Sequence, residues 1–177
     1  NDENPRNDII EVISGPCLYE LDDPYATVSE KRVKPKLTRT QYIIITNDKT
    51  GEKTVVSGPI LYVPGPYDRL SPITNVVVLN NDEYLYVTHT DTGIIDIIEG
   101  PSKVIPGAYD TLSTIRKKIS LEHDEYIKVV DKNSGVIRVE RGPSTVILQQ
   151  YERPIEDKSK AFEINEHHAV YIKDTHT

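Results

Sequence analysis

Cysteine and methionine are nearly missing from this chain: its 177 residues hold one cysteine, Cys17, and no methionine. A single cysteine excludes an intrachain disulfide and a cysteine-cluster zinc site, and so sparse a use fits a reducing, cytoplasmic setting. A chain that begins at Asn1 and lacks methionine reads as a processed form or a fragment, from which a targeting segment would already be gone. Long apolar runs are missing as well. None approaches the roughly 18 residues a membrane helix needs, so no membrane insertion is expected. Basic charge is in short supply, with 21 Lys and Arg against 28 Asp and Glu, a net charge of -7. A duplex nucleic-acid binder displays a basic face, so no nucleic-acid contact is expected either.

What the chain does have is repetition. Gly-Pro pairs stand at 15–16, 58–59, 100–101 and 142–143. Tyr25, Tyr67, Tyr109 and Tyr151 are 42 residues apart, as are Gly51, Gly93 and Gly135, and again Gly65 and Gly107. All nine glycines belong to this period. Apolar columns keep the same phase: Leu37, Leu79 and Leu121; Ile43, Leu85 and Ile127; Ile45, Val87 and Val129; Val55, Ile97 and Val139; with Tyr42, Tyr84 and Tyr126 beside them. A fixed period of this length marks a repeat architecture. The copies are bounded at 1–32 (incomplete), 33–74, 75–116 and 117–159, and 160–177 opens a fifth. With one inserted residue near 160, Asp174–Thr177 aligns with Asp131–Ser134, so the native chain is expected to continue to a hairpin glycine at position 178.

Each copy reads as strands. Leu85 and Val87 alternate with Tyr84 and Tyr86, the period-two pattern of a strand with two distinct faces. Asn47–Gly51, Thr90–Gly93 and Asp131–Gly135 are hairpin loops closed by a left-handed glycine. The Gly-Pro that follows ends the second strand, because proline has no amide hydrogen for a ladder. A third strand, as at Ser102–Ile105, and a Tyr-Asp corner complete the copy. The predicted fold is all-β: a tandem array of about four 42-residue antiparallel β-repeats stacked into an elongated rod, with little or no helix. A 42-residue unit is near the lower limit for folding alone, so its inward face is expected to be covered by the next copy.

The segment Asp124–Gly135, followed by Val136–Pro143, resembles the repeat of the major vault protein family: strand, Asp-x-x-x-Gly hairpin, second strand, Gly-Pro, short apolar strand. Val55–Pro64 is similar to that family's pattern of Gly-Pro, two residues and Tyr-x-Pro. The resemblance runs through all four copies. It implies many identical chains aligned side by side through repeat edges to form a wall. The expected function is therefore structural, a self-assembling shell, filament or scaffold whose main partner is itself, with other shell components beside it.

The residues offer little for chemistry. The adjacent His167 and His168 would point to opposite faces of a strand, and Glu122-His123-Asp124 falls in a turn, so neither reads as a metal site. His89 and His176 complete the histidines. Asp48, Asp91 and the loop Asp131–Gly135 sit where hairpins favour Asp or Asn, and the last lacks the distant glutamate of a calcium loop. Cys17 stands where Ile60, Ser102 and Ser144 stand in other copies, with no histidine nearby in sequence, and reads as a plain side chain rather than a nucleophile. The repeated tyrosines read as packing residues. No phosphate loop, serine elbow or paired carboxylate appears. The expectation is no catalytic, cofactor-binding or metal residue, no cofactor and no enzyme activity. On the residues alone, a monomeric module for a protein ligand and a calcium-stabilised adhesin stalk stay open as alternatives. Charge adds one expectation about register: residues 33–74 carry a net +3 and 75–116 a net -4, which favours neighbours staggered by one repeat.

Overall fold

The structure, a computed structural model, describes residues 10–173, so His176 and the alignment of 174–177 lie outside the described residues. The described residues contain strands and no helix. They form three units of one design. The first has β1 (Lys36–Leu37), β2 (Gln41–Asn47), β3 (Lys53–Ser57), β4 (Ile60–Leu61), β5 (Asp68–Leu70) and β6 (Thr74–Asn75). The second has β7 (Val77–Leu79), β8 (Glu83–His89), β9 (Ile95–Glu99), β10 (Ser102–Val104), β11 (Asp110–Leu112) and β12 (Arg116–Lys117). The third has β13 (Ile119–Leu121), β14 (Glu125–Asp131), β15 (Ile137–Arg141), β16 (Ser144–Val146), β17 (Glu152–Pro154) and β18 (Ser159–Lys160). Residues 10–35 and 161–173, which hold the described parts of the flanking partial copies apart from Lys160, carry no strand.

Within a unit the chain builds two antiparallel sheets. The long central strand pairs along one side with its hairpin partner, as β8 with β9 from Tyr84↔Glu99 to Thr88↔Ile95. Its other side is shared end to end by two short strands, β11 at Val87–His89 and β12 at Glu83–Tyr84. The third strand found in the sequence leaves this sheet and pairs with the strand before the central one: β4 with β1, β10 with β7, β16 with β13.

This two-stranded ribbon closes the core. Leu79 and Val104 from the ribbon pack with Leu85 and Val87, joined by Val77, Ile98 and Leu112. Leu121 and Val146 pack likewise with Ile127 and Val129, and Leu37 with Ile43 and Ile45. The expectation that the next copy covers the inward face therefore needs correcting. That face is covered from inside its own unit, by strands of two or three residues too short to show a period.

Two glycine columns make this geometry feasible. Gly51, Gly93 and Gly135 hold φ of +75°, +72° and +72°. Each donates its amide to the last central-strand carbonyl, Asn47, His89 or Asp131. The Gly-Pro column, whose four peptide bonds are cis, is set by close approach. A Cβ built on Gly100 would stand 1.8 Å from the Asn80 carbonyl oxygen, and on Gly58 or Gly142 2.1 or 1.6 Å from that of Thr38 or Glu122. No side chain fits there. Those turns carry a further column missed in the sequence: Gln41, Glu83 and Glu125 each accept the backbone N–H three residues earlier.

Gly93→Val should destabilise the central unit far more than Thr92→Val, since a β-branched residue tolerates positive φ poorly. The strain should cost about 1–3 kcal/mol. Urea titration of both variants checks this, and equal midpoints would contradict the hairpin geometry.

Candidate interaction surface

In the first two units the face of the central strand that looks away from its own core meets the next unit. On β8 that face carries Tyr84 and Tyr86, 1% and 3% exposed, in edge-to-face contact with centroids 5.8 Å apart. The Tyr86 hydroxyl donates to the Leu148 carbonyl of the third unit at 2.6 Å, and Arg116 lies over its ring. Burial first, then the neighbouring Tyr84, pushes the Tyr86 phenol up to about 12. Val55, Ile97 and Val139 belong to this outer face, opposite Ile44, Tyr86 and Lys128. The first unit meets the second through other groups: the Lys53 amide donates to the Tyr109 hydroxyl, the Lys53 ammonium lies over that ring, and the Lys103 ammonium donates to the Arg39 carbonyl. On the third unit the same face is open, with Tyr126 half-buried and Lys128 exposed.

A polar cluster sits where the hairpin leaves the sheet, and each unit fills it differently. In the second, His89 Nδ1 lies 2.8 Å from Asp110 and Nε2 3.1 Å from Asp96. Those two carboxylates raise the imidazole above its usual range. In the third, Arg138 at the position of Asp96 forks onto Glu152 at 2.9 and 3.0 Å, holding that carboxyl below its usual range. In the first, Asn47 accepts the Lys49 and Thr50 amides, while Asp68 accepts the Tyr62 hydroxyl and the Gly65 amide. The occupants change from copy to copy, so no column of like residues marks the cluster, which is why the repeat alone did not reveal it.

The hairpin partners β3, β9 and β15 are sheet edges, each paired on one side only. Two hydrogen bonds bracket β9: His89 N–H to the Ile94 carbonyl and Gly100 N–H to the Glu83 carbonyl. Period-two alternation then turns the amides of Ile95, Ile97 and Glu99 to the open side. Apolar side chains accompany these edges, with Ile94 57%, Val136 64%, Ile137 52% and Val139 48% exposed. Charge is unevenly placed on the central unit. Asp96 and Glu99 lie on β9, whereas Arg116 and Lys117 lie across the sheet on β12. The net charge of a copy is therefore divided unevenly between its two sides.

The residues weighed as sites are spread apart. Cys17 is exposed. His123 lies in the turn before β14, as expected, whereas His167 and His168 lie in a turn rather than on a strand. Asn165 organises that turn, accepting the His167 amide and contacting His168 Nδ1. Asp131 turns one carboxylate oxygen to the Asn133 and Ser134 amides, and Asp48 pairs with Arg69 at 3.2 Å. Among the described residues no three His, Cys, Asp or Glu side chains converge as a metal ion would need, and no helix is long and apolar enough to cross a membrane. No protein-family model matches the chain, and no curated protein matches it.

Two predictions follow from the contacts. Tyr86→Phe removes the bond to Leu148 and leaves a half-buried carbonyl unpaired, which should cost about 1 kcal/mol. Chemical denaturation of the variant measures it, and an unchanged midpoint would mean the two units are not coupled there. For His89 the folded state binds the proton more tightly than the unfolded chain. Its contribution is full below the unfolded value of about 6.5 and fades as pH rises through the raised folded value. His89→Asn, which installs the first unit's residue, should flatten the loss of stability as pH rises above about 6.5, and parallel profiles would contradict the ion pairs.

Proposed function

We propose that this chain is a structural, self-assembling protein whose copies associate side by side through the edges of their β-repeats to build a shell, filament or scaffold in the cytoplasm. It acts by association and not by catalysis, its partner is another copy of itself, and it needs no cofactor. The observation that carries this reading is the row of open edges β9 and β15, in phase along the array and flanked by exposed Ile94, Val136, Ile137 and Val139. An unprotected strand edge is a template for pairing with another chain. Because the units share one design, an edge contact made at one level is repeated at the next. Individual contacts that are weak alone then add along the wall. The resemblance to vault repeats points to the same arrangement, and other shell components fit the same edges.

Ile97→Pro tests this reading. It deletes an amide that faces the open side and spares the bonds from β9 to β8, so the fold should survive. Ile98→Pro, one residue on, deletes a bond of the ladder itself and should disrupt the unit. In sedimentation velocity the parent chain should form large assemblies at high concentration, and Ile97→Pro should lose them. A parent chain that stays monomeric at every salt and pH, or a proline variant that assembles equally well, would overturn the proposal.

A further inference from the structure

Building on the lateral association proposed above, we propose that the neighbour at the β9 edge is a second copy presenting its opposite edge, β12. Glu99 of one molecule then pairs with Arg116 and Lys117 of the next.

The register of the second unit places the charges for this contact. Tyr84 on β8 stands opposite Glu99 on β9 and opposite Arg116 on β12, so the three residues form one row across the sheet. Directly opposed residues share a face. The row therefore ends in a carboxylate at one edge and a guanidinium at the other. Lys117 adds a second cation one residue further along β12. All three charged side chains are exposed. Within the molecule, Glu99 meets Lys118 at 2.9 Å, and Lys117 meets Asp82 only at 3.8 Å. Arg116 lies over the Tyr86 ring and, among the described residues, has no carboxylate in salt-bridge contact.

The backbone suits the same neighbour. β9 and β12 both run antiparallel to β8, so they run parallel to each other. Two molecules in one orientation thus bring β9 of the first alongside β12 of the second. The amides of Ile97 and Glu99 face the open side of β9. On β12, the Lys118 N–H bonds the Asp82 carbonyl, which turns the Lys117 amide outward.

Contact between two β9 edges about a two-fold axis is the other use of this surface, and charge opposes it. It sets Asp96 and Glu99 of both molecules along one seam. It also closes at two chains, whereas opposite edges leave each molecule an acidic and a basic side for further copies. The remaining units accept the heterologous placement. Unit beside like unit sets Ser57 beside Thr74 and Arg141 beside Ser159. One row is like-charged, Lys53 with Arg69, and there Asp48 already pairs with Arg69. Copy totals favour a stagger of one repeat, and the edge rows favour register, because the groups that meet belong to opposite edges.

Charge exchange tests the contact. In sedimentation velocity, Glu99→Lys should lose the large assemblies of the parent chain, and so should Arg116→Glu combined with Lys117→Glu. Joining all three substitutions in one chain reverses the row and should restore assembly. Mixing the two defective variants should restore it as well, since each offers the edge the other needs. Misfolding produces neither rescue, and circular dichroism follows the fold throughout. A parent chain that stays monomeric would overturn the lateral association itself. A parent that assembles, with Glu99→Lys assembling as well or better, would overturn the pairing of opposite edges alone. Failure of both rescues would do the same.

Discussion

The approach of one backbone to another at the Gly-Pro pairs is the constraint on which this architecture rests. At Gly58, Gly100 and Gly142 the chain runs so close to the carbonyl of Thr38, Asn80 or Glu122 that a Cβ would overlap it. That contact ends the hairpin strand against the turn that opened the central strand. The next residues are thereby delivered to the ribbon strand instead of continuing the large sheet. The ribbon then lies over Leu85 and Val87, or their equivalents, and each unit closes a core of its own. The same glycine still donates its amide to the central sheet, through Gln41, Glu83 or Glu125. One residue thus finishes one sheet and directs the chain into the other.

Because each core is closed internally, neighbouring units meet through the outer faces of their sheets and the turns beside them. The contact is polarised: the outer side of a central strand meets the unit that follows. Burial agrees with this: Tyr84 and Tyr42 are 1% and 8% exposed, whereas Tyr126 is half-buried in the third unit, the last closed one among the described residues. A series of small closed units linked face to back is the design of a repeat protein, in which stability is a sum of unit and neighbour terms. It also frees the lateral edges. Nothing in the packing along the array uses the outward amides of β9 and β15, so they stay open to another chain.

Much of this was legible in the residues. The 42-residue period placed the copies, the columns at Leu37, Ile43 and Ile45 named core residues, and hairpin glycines marked the positive φ. Those signals are local or strictly repeated, and a period exposes both. The ribbon sheet was not legible, because β1 and β4 have two residues each and carry no alternation. Nor was the division of one side of the central strand between two short strands. The clusters around His89 and Arg138 were hidden for another reason. The repeat conserves the site and changes its occupants, so no column of like residues announces them. The open edges were visible only as strands, since which amides face outward depends on pairing.

Cryo-electron microscopy of the assembled protein tests the central claim most directly. Lateral neighbours should be joined by continuous β-pairing at β9 and β15, repeating at the spacing of the units. Neighbours held together by other surfaces, with those edges exposed to solvent, would contradict the account.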